Sequence, residues 1–200
     1  MKENNIKIRI VTPDDAGQLL DIYTPYVLHT AITFEYQPPT REEFAQRIQK
    51  TLTRFPYLAA VQNGEILGYA YVSPFHDRPA YDWAVETSIY IRSDCKRMGI
   101  GRKLHQALED VLREQGILNM NACIAYPQTE DEYLTRDSVH FHSRLGYRMV
   151  GQFSQCGYKF GRWYDMVWME KHIAPHLENQ PPVRTFDQVR TIIREKYQIE

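Results

Sequence analysis

Cysteine is scarce. The 200 residues hold three, Cys95, Cys123 and Cys156, an odd number at wide spacing. That argues against a disulfide framework and makes a reducing cytoplasm the natural setting. No Cys/His pair falls at a zinc-site spacing, so no metal is expected. Excess charge is also missing: 24 basic residues face 25 acidic ones, a net charge of −1. Without a basic surplus, neither a nucleic-acid partner nor an acidic membrane is expected. No apolar run approaches the roughly 20 residues of a membrane span, and the opening stretch Met1–Ile6 has no apolar signal core. There is no internal repeat and no low-complexity tract. These absences leave a cytoplasmic globular protein as the expectation.

What is present suits one folded domain with a sizeable core: 43% hydrophobic residues and 12% aromatics, including 14 tyrosines. Ile6, Ile8 and Ile10 alternate with polar residues as in a strand. Thr12-Pro13-Asp14-Asp15 reads as a helix start, followed by Leu19, Leu20, Tyr23, Tyr26 and Val27 at helical spacing. Thr40-Arg41-Glu42-Glu43 is a capping box that opens a second helix. Strands over 57–62 and 66–73 are joined by Asn63-Gly64, the favoured two-residue hairpin turn. A loop over 74–80 precedes a strand over 83–91. Leu104, Leu108, Val111 and Leu112 mark one face of a helix that stops near Gly116. A strand over 120–126, a polar loop over 127–135 and a short helix over 138–145 follow, then paired strands over 147–153 and 164–171. This order predicts a mixed α/β fold, a central sheet with helices on both faces. After Ile173 a proline-bearing linker leads to a capping box at Thr185 and an amphipathic helix. Residues 1–173 are thus expected to form the main domain. Residues 174–200 form a linker and a helix that packs on its own domain or on a partner subunit.

The most informative stretch is Val85–Ile91 followed by Lys96-Arg97-Met98-Gly99-Ile100-Gly101. It reads as a buried strand carrying one carboxylate, Glu86, and then a glycine-bearing bend that opens a helix. A helix start offers unpaired N–H groups and a positive dipole end, which together bind phosphate. The bend is neither a Walker loop nor a dinucleotide fingerprint, because the Lys-Ser/Thr pair and the third glycine are missing.

Together with Ser138-Val139-His140-Phe141-His142-Ser143-Arg144-Leu145-Gly146-Tyr147, these motifs resemble the GNAT superfamily of acetyl-CoA-dependent N-acetyltransferases. The stretches Ala80–Glu86 and Gly157–Asp165 resemble its phosphinothricin and methionine-sulfoximine acetyltransferase branch. The resemblance covers about residues 8–173. It implies a mostly antiparallel GNAT sheet, acetyl-CoA as co-substrate, a small-molecule amine as acceptor, and a homodimer. It also assigns roles. Glu86 is the general base. Ile89, Tyr90 and Ile91 lie along the pantetheine arm, where backbone N–H groups stabilise the developing oxyanion. Lys96, Arg97, Met98, Gly99, Ile100, Gly101 and Arg102 hold the pyrophosphate. Thr135 and Ser138 flank the cofactor, and His142 stands where a proton donor to the leaving thiolate is found. Phe34, Tyr36, Phe75, Arg78, Tyr81 and Trp83 are expected to form the acceptor pocket, with Trp83 more a core residue, and burial beside Trp83 and Tyr81 is expected to raise the pKa of Glu86. His140 is read as structural.

The chain departs from the family at three points: Lys96 replaces a Gln or Arg, Thr135 an Asn, and Glu35 the Arg of phosphinothricin-specific enzymes. Glu35 and the acidic run Glu130-Asp131-Glu132 keep a polyamine, another small amine or a peptide N-terminus open as acceptor. A non-catalytic acyl-CoA-binding module is the remaining alternative.

Overall fold

Alternation at the start of the chain produces an edge strand, β1 (Lys7–Ile10), in the computed structural model, which describes residues 6–200. Most of the segment read above for a signal core, Met1–Asn5, lies outside the described residues. Helix α1 (Ala16–His29) follows a 3-10 turn at Pro13–Asp15. Helix α2 (Arg41–Leu52) is closed by the expected capping box: Glu43 N–H donates to Thr40 Oγ1 at 3.1 Å, and Thr40 N–H to Glu43 Oε2 at 2.8 Å. Strands β2 (Tyr57–Gln62) and β3 (Glu65–Pro74) meet at Asn63-Gly64, both with positive φ (53° and 84°), as a type I′ turn requires. Then come β4 (Ala84–Ile91), α3 (Ile100–Gln115), β5 (Asn119–Tyr126), α4 (Asp137–Arg144), β6 (Arg148–Lys159), β7 (Arg162–His172) and α5 (Phe186–Tyr197).

The seven strands form one sheet in the order β1-β2-β3-β4-β5-β7-β6. Every neighbouring pair is antiparallel except β4 and β5. Side chains alternate across the sheet and build two cores. One face buries Leu58, Ala70, Val72 and Val85 under Leu104, Leu108, Val111 and Leu112 of α3. The other buries Tyr57, Ala59 and Tyr69 under Leu19, Ile22 and Tyr23 of α1 and Phe44 and Ile48 of α2. The expected mixed α/β fold with helices on both faces is therefore what forms.

One expectation changes, and one alternative left open is decided. The last strand pair is longer than the apolar pattern suggests, because a second two-residue turn, Phe160-Gly161 (φ 51° and 74°), joins β6 directly to β7. A register shift between Phe153 and Gly157 breaks the period-two signal of β6 there. Helix α5 packs on its own chain. Phe186, Val189 and Ile193, all 0% exposed, join the core beneath α3, and Glu200 C=O accepts from Ile10 N–H on β1.

Candidate active site

Strands β4 and β5 run parallel for only three residue pairs, Ala84/Asn119, Val85/Met120 and Glu86/Asn121. At that point side chains replace ladder bonds. Asn121 Nδ2 donates to Val85 C=O at 3.1 Å, and Thr87 Oγ1 donates to Asn121 C=O at 3.1 Å. Beyond the fork the strands diverge and leave a cleft lined by Ser88, Ile89 and Tyr90 of β4, Cys123 of β5, and Ser138 and His142 of α4. Arg92 N–H bonds to Leu67 C=O on β3. Alternation along a strand then turns the backbone groups of Tyr90 toward β3 and those of Ile89 and Ile91 toward the cleft. The Ile91 carbonyl is capped by the Tyr26 hydroxyl at 2.6 Å, so Ile89 carries the open strand edge. Such an edge accepts an extended amide chain as a further strand does.

The bend before α3 adopts the geometry that phosphate binding needs. Arg97 and Gly99 both have positive φ (64° and 80°), and a Cβ on Gly99 would meet nothing within 4 Å. Ile100, 1% exposed, anchors the helix start in the core. The first bond inside the helix is Lys103 N–H to Gly99 C=O, so the preceding amides are free to face an anion. Lys96 Nζ lies 5.4 Å from the centroid of the Tyr26 ring, and Met98 and Arg102 are exposed. A different need fixes Gly101: a Cβ there would stand 3.1 Å from the Phe141 ring of α4, so this glycine sets how closely α4 approaches α3. Thr135 is exposed at the approach to α4 and does not line the cleft.

Glu86 lies across from Ser73 in the β3/β4 register. Burial raises its carboxyl pKa above the ordinary range, partly offset by His76 nearby. Its charge is felt by the Tyr71 hydroxyl and the Cys123 thiol. Burial, then Glu86, then Cys156 push the Cys123 pKa up to about 12. Trp83 corrects the expectation. Its Nε1 donates to Pro181 C=O at 2.8 Å, and it sits half-buried under the linker, in the turn before β4, rather than in the core.

The predicted acceptor residues divide into two walls. Phe75 and Tyr81 form a ring cluster with His76, and Phe75 also meets Trp168 of β7 at 5.4 Å. Arg78 is exposed in the same loop. Phe34 packs so tightly on Gly157 of β6 that a Cβ there would come within 2.2 Å of its ring, and the Tyr36 hydroxyl donates to Tyr158 C=O. Lys159, 2% exposed, ties this second wall together. Its Nζ donates to Val27 C=O (2.8 Å) and Thr33 C=O (2.7 Å), linking α1 and the following loop to the β6/β7 hairpin. Neither its position in an apparent loop nor its charge signalled this role.

His142, 5% exposed, lines the cleft, with Nδ1 2.8 Å from Ser138 C=O. A carbonyl only accepts, so Nδ1 carries the proton and the neutral ring presents a lone pair at Nε2. Burial lowers its pKa and favours that neutral form. Behind it lies a buried polar chain that the sequence did not reveal. Tyr147 Oη is 2.9 Å from His105 Nε2, and His105 Nδ1 is 3.8 Å from Glu109, which also pairs with Arg113 and Lys171. His140 lies exposed on the other side of α4.

A splayed parallel pair with a free strand edge, a phosphate-type bend beyond it and a half-buried carboxylate at the fork define an acyl-CoA-dependent transferase fold. The model of the acetyltransferase (GNAT) domain matches residues 8–168, and the chain belongs to that family. It is an N-acetyltransferase that uses acetyl-CoA as co-substrate. The chain is 31% identical over 185 residues to the phosphinothricin N-acetyltransferase of Streptomyces viridochromogenes, covering 92% of this chain and 96% of that one. It is 31% identical over 170 residues to the L-methionine sulfoximine/L-methionine sulfone acetyltransferase of Salmonella typhimurium, covering 84% and 95%. The structure is similar to that of a phosphinothricin acetyltransferase from Sinorhizobium meliloti in complex with acetyl-CoA, with a TM-score of 0.78, 29% identity, and coverage of 90% of this chain and 98% of that one.

Proposed function

We propose that this acetyltransferase acts on the α-amino group of a small amino-acid-like acceptor of the phosphinothricin or methionine-sulfoximine type, with Glu86 as general base. The observation that carries the reading is the position of Glu86. It is the carboxylate at the fork, one residue before the cleft-lining Thr87 and within electrostatic reach of His76 in the Phe75–Tyr81 loop. Acetyl-CoA supplies an acetyl group activated as a thioester. The acceptor amine attacks only as the neutral base, and Glu86, with its pKa raised by burial, takes its proton directly or through water. The cleft-facing N–H of Ile89 is the donor suited to negative charge developing on the carbonyl oxygen. Amides over 97–101 hold the pyrophosphate, and Arg78 is the cation in reach of an acceptor anion.

The tautomer of His142 supports a revised role. With Nδ1–H committed to Ser138, the neutral ring accepts at Nε2, so it orients a thiol or amide N–H rather than protonating the leaving sulfur. A thiolate with a conjugate-acid pKa near ~8.5 leaves without a donor.

The acidic residues that favoured a cationic acceptor are already engaged. Glu35 accepts from Arg47 at 2.8 Å, Glu132 from Arg162 at 2.8 Å, and Glu130 from the Arg136 amide. We also assign the protein to the cytoplasm and to a homodimer. Met149, Val150 and Phe153 are 46–56% exposed on the edge strand β6, and an unpaired edge with such residues suits a second copy. The function is tested by following free thiol as the protein is mixed with acetyl-CoA and phosphinothricin, methionine sulfoximine and spermidine in turn. Release with the amino-acid analogues supports it, and release with spermidine alone contradicts it.

A further inference from the structure

Beside the site lies a cavity of about 420 Å³ between α2 and the β2/β3 hairpin, within the range of small-molecule sites. It shares Ser73 and Tyr71 with the surroundings of Glu86: Ser73 is the cross-strand partner of Glu86, and Tyr71 feels its charge. The cavity therefore begins where the acceptor amine must stand. Its floor is aromatic. Tyr57 and Tyr71 stack at 4.6 Å with 12° between their planes, and Tyr69 stacks on Tyr57 at 5.8 Å and 30°. Tyr57 and Tyr69 are buried and spend their faces on this stack, so half-buried Tyr71 is the ring placed to meet another flat ring by offset stacking. The rim carries Arg47, Lys50 and Arg54 against Asp77. Arg47 and Arg54 are paired with Glu35 and Asp82, whereas Lys50 makes no ion pair among the described residues. With Lys50 set against Asp77 the rim is close to neutral, which suits an uncharged side chain. A second, independent feature points to a ligand. The hydroxyl of Tyr69, a residue 0% exposed that borders the cavity, has no hydrogen-bond partner among the described residues. Buried hydroxyls are nearly always paired.

We propose that this cavity receives the acceptor's side chain, and that the acceptor class includes amino acids with an uncharged aromatic ring bearing an oxygen, which Tyr69 recognises. This rests on the N-acetyltransferase reading with Glu86 at the amine. It extends that reading, since a phosphinothricin- or methionine-sulfoximine-type side chain has no flat ring to meet the aromatic floor.

The test has a kinetic and a binding arm. Initial rates of thiol release are compared for L-tyrosine, L-phenylalanine, methionine sulfoximine and spermidine, with the parent protein, Thr51→Trp (which fills the cavity from α2) and Tyr69→Phe. The binding arm titrates N-acetyl-L-tyrosine into protein saturated with coenzyme A. The aromatic acceptors are expected to exceed methionine sulfoximine in kcat/KM at least tenfold, and Thr51→Trp to lower that ratio at least tenfold while weakening N-acetyl-L-tyrosine comparably. Tyr69→Phe, which keeps the ring, is expected to remove a roughly threefold to tenfold preference for tyrosine over phenylalanine, the size of one hydrogen bond. Methionine sulfoximine turnover without aromatic turnover overturns the cavity proposal and leaves the transferase reading standing. If no acceptor reacts, that reading fails, and the titration alone decides the cavity: no binding of N-acetyl-L-tyrosine overturns it.

Discussion

Glu86 is half-buried and His105 is buried, and loss of water moves their pKa values in opposite directions because it disfavours charge of either sign. For Glu86 the consequence is kinetic. The base form exists only above its raised pKa, so the acid limb of kcat/KM is expected to have its midpoint above ~4.3, the ordinary glutamate value. Glu86→Gln should lower kcat/KM by about 10²–10⁴ at neutral pH and abolish that limb, as measured by thiol release. A change under threefold would show that another group takes the proton. For His105 the consequence is stability. Its pKa is lowered to about 3, chiefly by burial. Between that value and ~6.5 the unfolded chain binds a proton that the folded chain does not, so stability falls as pH falls. At pH 5 the cost is about 2 kcal/mol relative to pH 7.5. Thermal melts of His105→Gln should therefore lose part of the acid-induced drop in Tm seen in the parent. An identical drop would place the titration elsewhere.

At the scale of elements, the site depends on where α3 begins and how closely α4 approaches it. Gly101→Ala places a Cβ 3.1 Å from the Phe141 ring. The variant should melt lower and bind acetyl-CoA more weakly, and Phe141→Leu in the same chain should restore both. Weakened binding without rescue would mean that Gly101 matters through the phosphates alone. Most of this local architecture was legible in the sequence. The Asn63-Gly64 turn, the Thr40 capping box, the Gly99 bend and the apolar stripe of α3 each carry a local chemical signal. Motif order also put Glu86 on a strand and His142 on a helix, where β4 and α4 carry them. What stayed hidden depends on contacts between distant residues. Tyr26 capping Ile91, Lys159 bracing α1 against β6, and Tyr147 meeting His105 all join residues tens of positions apart. Trp83 was misjudged for the same reason, since its partner, Pro181, lies in the linker. The β6/β7 hairpin was obscured because β6 is a solvent-facing edge with a register shift, and neither feature leaves an apolar alternation to read.

At the scale of the molecule, α5 closes the core over α3, while the opposite edge of the sheet is left open. That edge, with Phe153 56% exposed, gives the homodimer a concrete test. Sedimentation equilibrium should return twice the 23.6 kDa chain mass for the parent and a shift toward the single mass for Phe153→Glu. A parent that sediments as a monomer at micromolar concentration would refute the assignment. All the functional conclusions require the diverging strands and the bend to act as one binding surface. A crystal structure of the protein with coenzyme A tests this most directly. The account predicts the pyrophosphate on the amides of Arg97–Gly101, the pantetheine along Ile89 between β4 and β5, and the sulfur near the fork that carries Glu86. Coenzyme A bound elsewhere, with side chains filling the cleft between β4 and β5, would contradict it.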